Sequence, residues 1–227
     1  MKREFGKILF LMTLLLVPGL CQAQMKIYTK SYRIQDFRSR TTRIVLDGPT
    51  ELTVPLREEV TSLWTVSPYE FCSAAEYEKL KTDPDSYFLR AVTSKGIISL
   101  ELAKGGREGD SNTLKKPLSL VTVPIAGENS LGTLQYMAAW VSIVQDYIDS
   151  AIGSERVAYS GIGTIRAPRP AMLKIIRDPK EAAIAFRNAD ALTAVEITIT
   201  PDGTTATRPR YRYIIGTDNY ALYAFRK

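Results

Sequence analysis

The chain contains no histidine and only two cysteines in 227 residues. Without histidine there is no Ser-His-Asp triad, no Cys-His pair and no imidazole-containing zinc site. Cysteine is nearly as restrictive. If Cys21 leaves with an N-terminal leader, Cys72 stands alone, which excludes an intramolecular disulfide, thiolate zinc clusters and the Cys-x-x-Cys redox motif. Cys72 follows Phe71 in an apolar stretch and reads as a small core residue. No Ser-x-x-Lys motif is present. Asp202-Gly203 has turn chemistry but lacks the rest of a calcium loop. Gly161-Ile162-Gly163 lacks the third glycine and the following lysine of a phosphate-cradling loop, so a turn is expected there. No metal site and no cofactor are expected. Excess charge is also scarce: 30 Lys and Arg face 24 Asp and Glu, interspersed throughout. This balance gives no basis for nucleic-acid binding.

The N-terminus has the layout of an export signal. Lys2, Arg3 and Lys7 precede an apolar run from Ile8 to Val17, interrupted only by Thr13. Pro18-Gly19 ends the run, which is too short to span a bilayer. Cys21-Gln22-Ala23 then offers small residues for cleavage before Gln24. Lipid attachment at Cys21 is disfavoured because Leu20 occupies a position that calls for a small side chain. Cleavage after Ala23 removes three bases and one acid, taking the net charge from +6 to +4. The expected product is an exported chain, periplasmic or secreted, folded as a single domain over 24–227.

The pattern of the remainder predicts an α/β fold, with α+β as the alternative: a mixed sheet covered by helices and a C-terminal antiparallel meander. Strands are expected at 25–34, 41–46, 66–71, 87–92, 97–103 and 118–125. Leu56, Val60, Leu63 and Trp64 recur at helical spacing, with Pro55 placed in the first turn. Ser73-Ala74-Ala75-Glu76 is a capping box opening a helix to about Lys81. Residues 104–117 read as a surface loop. The segment Leu131–Ala151 is read as one long apolar helix of about 30 Å, capped by Asn129 or Ser130. It is laid on the sheet, since Gln145, Asp146 and Asp149 would be costly in lipid. An extended stretch is expected near 156–167, a short strand at 172–177, and a helix opened by Asp178-Pro179-Lys180-Glu181. Three strands with short turns complete the chain.

The leader ending in Cys21-Gln22-Ala23 is similar to export signals common in Bacteroidetes. The block LWTVSPYEF followed by CSAAEYEKLK resembles uncharacterised exported proteins of that group. The resemblance covers about residues 1–90. It implies an envelope location and supplies no catalytic residue.

Two sets of residues are candidates for a site. Arg166 and Arg169 flank Pro168, while Arg208, Arg210 and Arg212 alternate, so that on a strand they would share one face opposite Tyr211 and Tyr213. Aligned guanidinium groups can grip carboxylates, phosphates or an acidic glycan; an ordinary solvated sheet face is the competing reading. Asp47 and Glu70, near predicted strand ends, are the candidates for a paired-carboxylate hydrolase acting on periplasmic glycan. The expected function is a non-catalytic envelope protein that binds or scaffolds an envelope protein, an acidic small molecule or a glycan.

Overall fold

The computed structural model describes residues 29–106, 117–201 and 210–227. The leader, both halves of the Asp202-Gly203 pair, Arg208 and most of the 104–117 loop lie outside the described residues. Among the described residues, two sheets make up the fold. The first has strand order β2-β1-β3-β4-β5, formed by β1 (Thr42–Val45), β2 (Tyr69–Cys72), β3 (Tyr87–Ser94), β4 (Ile97–Lys104) and β5 (Leu118–Gly127). Its first three strands run parallel, and β4 and β5 add on as antiparallel hairpin strands. The second sheet, β6-β7-β8-β9, is formed by β6 (Lys174–Ile176), β7 (Thr193–Ile199), β8 (Tyr211–Gly216) and β9 (Leu222–Arg226). Here β6 pairs parallel to β7, and the last three strands form the antiparallel meander.

Helices α1 (Lys30–Arg33), α2 (Thr50–Leu63), α3 (Ala74–Leu80), α4 (Met137–Gly153), α5 (Glu155–Ser160) and α6 (Pro179–Asn188) cover these sheets. Successive strand residues point to opposite faces, and the first sheet is buried on both. Ile44, Tyr87, Leu89, Leu100 and Leu102 join the main core, whereas Val45, Cys72 and Phe88 pack with Tyr77 of α3 in a smaller one. Two covered faces account for the adjacent apolar residues Ile44-Val45 of β1 and Tyr87-Phe88-Leu89 of β3. Cys72 is free and buried, and burial pushes its thiol pKa up.

The capping signals form as the sequence dictates. Ser73 Oγ accepts from Glu76 N–H while the Glu76 carboxylate accepts from Ser73 N–H. Asp178 accepts from the N–H groups of Lys180 and Glu181, with Pro179 opening α6. The turn between β3 and β4 places Lys95 and Gly96 at φ 54° and 77°, the left-handed pair that a two-residue hairpin turn requires.

Four expectations are corrected. Residues 30–33 are helical: Thr29 accepts from Tyr32 N–H, and the buried positions Ser31, Ile34 and Phe37 recur every three residues. The other half of that expected strand, 25–28, lies outside the described residues. Helix α2 starts at Thr50, which puts Pro55 inside it rather than in its first turn. The stretch after Ser154 is α5 followed by a 3-10 helix, Gly161–Thr164, because Ser154 accepts from Val157 N–H and Ala158 and Ile162 are buried four apart.

A single long helix over 131–151 does not form either. Leu131–Tyr136 is a 3-10 segment, and α4 occupies Met137–Gly153. Thr133 ties the segment to β5 by donating to the Ile125 carbonyl. Its own carbonyl accepts from the Trp140 indole at 3.1 Å. Among the described residues, no helix is long and apolar enough to cross a membrane. Asp149 of α4 pairs with Arg38, and Gln145 serves α2. Gln145 accepts from Thr65 N–H and donates to the Leu63 carbonyl, closing the C-terminal end of α2.

The two sheets meet across α4 and β5. Trp140 and Tyr213, both fully buried, stand edge to face with ring centroids 4.9 Å apart. Beyond the ring, the Tyr213 hydroxyl donates to the Pro124 carbonyl of β5 at 2.9 Å. Along the same strand, the Leu120 carbonyl accepts from Tyr147 and from the Lys30 ammonium. β5 is an edge strand, and side chains take the carbonyls that another strand would otherwise seek.

Candidate functional site

The described members of the arginine set, Arg166, Arg169, Arg210 and Arg212, sit on separate segments. β8 begins at Tyr211, so Arg210 precedes it and only Arg212 lies on the strand. Arg212 points away from the core, opposite Tyr213, as alternation requires. It is already partnered: Glu196, only 15% exposed, accepts from Arg212 and from Arg177. Arg226 sits directly across from Arg212 in the β8–β9 register. Arg166 and Arg169 are exposed on the irregular segment before β6. Ala167 N–H donates to the Leu222 carbonyl, which puts this segment at the start of β9. Arg212 pairs four residues further along, about 13 Å away.

The carboxylate pair does not meet either. Glu70 is level with Arg43 in the parallel β1–β2 register and forms an ion pair with it at 2.7 Å. Asp47 is exposed beyond the end of β1, four residues further along, or about 13 Å. Glu70 is engaged in holding an edge strand. Among the described residues, no group of three or more acidic or sulfur side chains converges to hold a metal ion.

What the fold creates instead is a groove of about 800 Å³ between the two sheets. One wall is the β3–β4 turn with the outer part of β5. Another is the end of α5 with the 3-10 helix that follows, and a third is the end of the second sheet, at Pro201, Tyr211, Phe225 and Lys227. Gly161, with φ 70°, turns the chain from α5 into the 3-10 helix, so the Gly-Ile-Gly stretch forms a single short 3-10 turn in the wall of this groove and opens no α-helix. Ile162 between the glycines is buried in the main core.

The lining has a one-sided polarity. Lys30, Lys95 and Lys227 contribute to it together with Ser94, Ser99, Ser119, Ser160 and Thr122, and among the described residues no Asp, Glu, Asn or Gln lines it. Glu155 comes near Lys30 but is directed elsewhere, accepting the backbone N–H groups of Lys30 and Ser31 at 3.0 Å. Burial lowers the Lys30 pKa, and the charge of Glu155 offsets this only in part. A half-buried ammonium so placed is favourable to an incoming anion. Lys95 and Lys227 are exposed, and the Lys227 ammonium lies 5.9 Å from the centre of the Tyr211 ring.

None of these groove residues is among the sequence candidates; Tyr211 enters there only on the face opposite the arginines, and Gly161-Ile162-Gly163 only as a turn. Lys30, Lys95 and Lys227 lie on three separate elements, with no shared motif or spacing. A lysine in a hairpin turn and one after a terminal strand are ordinary on their own. No family model, curated protein or solved structure matches this chain.

Proposed function

We propose that this chain is an exported, non-catalytic binding protein of the cell envelope and that the groove between its sheets holds an anionic ligand. Export is supported by the leader pattern of Lys2, Arg3 and Lys7, an apolar run and Cys21-Gln22-Ala23 before Gln24. The observation that carries the binding reading is the lining around Lys30, Lys95 and Lys227, in which no acid stands among the described residues. Three lysines lining one concavity raise the local concentration of anions, an effect that weakens as salt screens it.

The test is a thermal-shift and calorimetric titration of the purified protein with inorganic phosphate, sulfate and short acidic saccharides at low and high salt. A saturable shift that diminishes with salt and is lost in Lys95→Glu supports the reading. If no anion binds at low salt, or if Lys95→Glu leaves binding intact, the groove is not the site. Export is checked separately by expressing the full chain and sequencing the N-terminus of the product. A product that starts at Gln24 agrees with the proposal, and an uncleaved cytoplasmic chain refutes it.

A further inference from the structure

Beside its cations the groove carries a shelf of aromatic rings. Resting on the reading of the groove as an anion site, we infer that its ligand is an acidic oligosaccharide, with sugar faces on Tyr211 and Phe225 and its anionic groups on the lysines. Tyr211 and Phe225 have ring planes within 13° of each other and centroids 6.4 Å apart. The two rings are stacked near-parallel where they line the groove, and both are only half-buried. Tyr213, the direct cross-strand neighbour of Phe225, supports that ring from the core with centroids 5.0 Å apart. On the other side Gly163 leaves the Phe225 edge uncrowded: a side-chain carbon there would lie 3.8 Å from the ring. A shelf held this way loses little freedom when a ligand settles on it.

The C–H face of a sugar ring is the apolar surface that an aromatic shelf removes from water. The hydroxyls of Ser94, Ser160 and Thr122 can donate to and accept from sugar hydroxyls. The strong hydrogen-bonding groups for a neutral sugar, carboxylates and amides, are absent from the described lining. What remains is cationic, and ammonium groups favour a ring bearing a carboxylate, sulfate or phosphate. A free inorganic ion would leave most of the 800 Å³ and both rings wet, whereas pockets of this size suit ligands of several ring units. The described lining also lacks the arginine, amide and acidic side chains that read nucleotide base edges.

Calorimetry on the purified protein at low salt tests this with four probes: trigalacturonic acid, its methyl ester, inorganic phosphate and a short oligo-dT. The uronate trimer is expected to bind, with the ester weaker by about tenfold or more. Tyr211→Ala should weaken the trimer by a similar factor, the scale for truncating an aromatic anchor. Tyr211→Phe should retain it, and phosphate affinity should be the same in all three proteins. Phe225→Leu, which keeps apolar volume, provides a second reading of the shelf should Tyr211→Ala fail to fold. Phosphate binding as tightly as the trimer, with Tyr211→Ala and Phe225→Leu without effect, would overturn the saccharide inference and leave the anion site standing. Tighter binding of oligo-dT than of the trimer would also overturn it. Binding of none of the probes would remove the anion reading itself.

Discussion

Replacing Tyr213 with phenylalanine removes one oxygen atom from the junction between the two sheets. Tyr213 is fully buried, and burial raises its hydroxyl pKa far above the usual range, so the group donates as a neutral phenol. Its partner, the Pro124 carbonyl, lies at 2.9 Å in a buried setting. The ring contact with Trp140 survives in phenylalanine, so the variant isolates the hydrogen bond. An orphaned buried carbonyl costs about 1–3 kcal/mol. For a chain of this size that is a melting-point fall of about 2–4 °C for each kcal/mol. Tyr213→Ala removes the ring as well and should cost about 3–5 kcal/mol. The assay is urea unfolding followed by fluorescence of the two tryptophans, Trp64 and Trp140. Trp140 packs against the mutated residue, whereas Trp64 caps the end of α2 and donates to Ser67 Oγ beneath the first sheet. If the sheets share one cooperative core, Tyr213→Phe lowers the midpoint at an unchanged slope, and backbone circular dichroism gives the same curve. A loss under about 0.3 kcal/mol, or separate transitions for the two probes, would refute the claim that this contact couples the sheets.

Close contacts elsewhere give two further perturbations. Gly105 ends β4 against the turn before β3: its N–H donates to the Ser86 carbonyl, and a Cβ there would collide with the Asp83 backbone carbonyl. Gly105→Ala should therefore destabilise by roughly 2 kcal/mol or more in the same urea assay, because the obstacle is backbone and cannot rotate away; an unchanged midpoint would contradict this. Asp36 accepts from the Tyr87 hydroxyl at 2.6 Å and from Lys104 at 2.8 Å. Burial pushes its carboxyl pKa up, but these hydrogen bonds and the Lys104 charge outweigh that and hold it below the ordinary value of 3.8. A depressed folded-state pKa stabilises above the unfolded value and loses that contribution as pH falls through the folded one. Asp36→Asn should thus be less stable than the parent at pH 7, with the gap closing below about pH 4. A gap that stays constant from pH 7 to pH 3 would show that Asp36 acts by packing alone.

The features that could be read from the sequence alone are those whose physical cause lies within a few residues. Ser73 and Glu76 satisfy each other's backbone across one helical turn, Asp178 and Pro179 start α6, and Lys95-Gly96 supplies the two left-handed residues of a hairpin. Alternation along β8 likewise put Arg212 and Tyr213 on opposite faces. Local pattern failed where a distant partner outweighed it. The 131–136 segment is 3-10 because Thr133 and Trp140 tie it to β5 and to each other. Residues 155–164 are helical around a Ser154 cap, with Ala158 and Ile162 drawn into the core. The candidate site depended on tertiary structure almost entirely. Parallel register separates Asp47 from Glu70, and Glu196 occupies Arg212. The groove, in contrast, gathers Lys30 from the first helix, Lys95 from a hairpin, Tyr211 and Phe225 from the last two strands, and Lys227 from just beyond β9. Hydrogen bonds and periodicity act over a few residues and leave a trace in the sequence. A concavity between two sheets exists only once both have packed on α4, so residues far apart in the chain carry no local mark of sharing it.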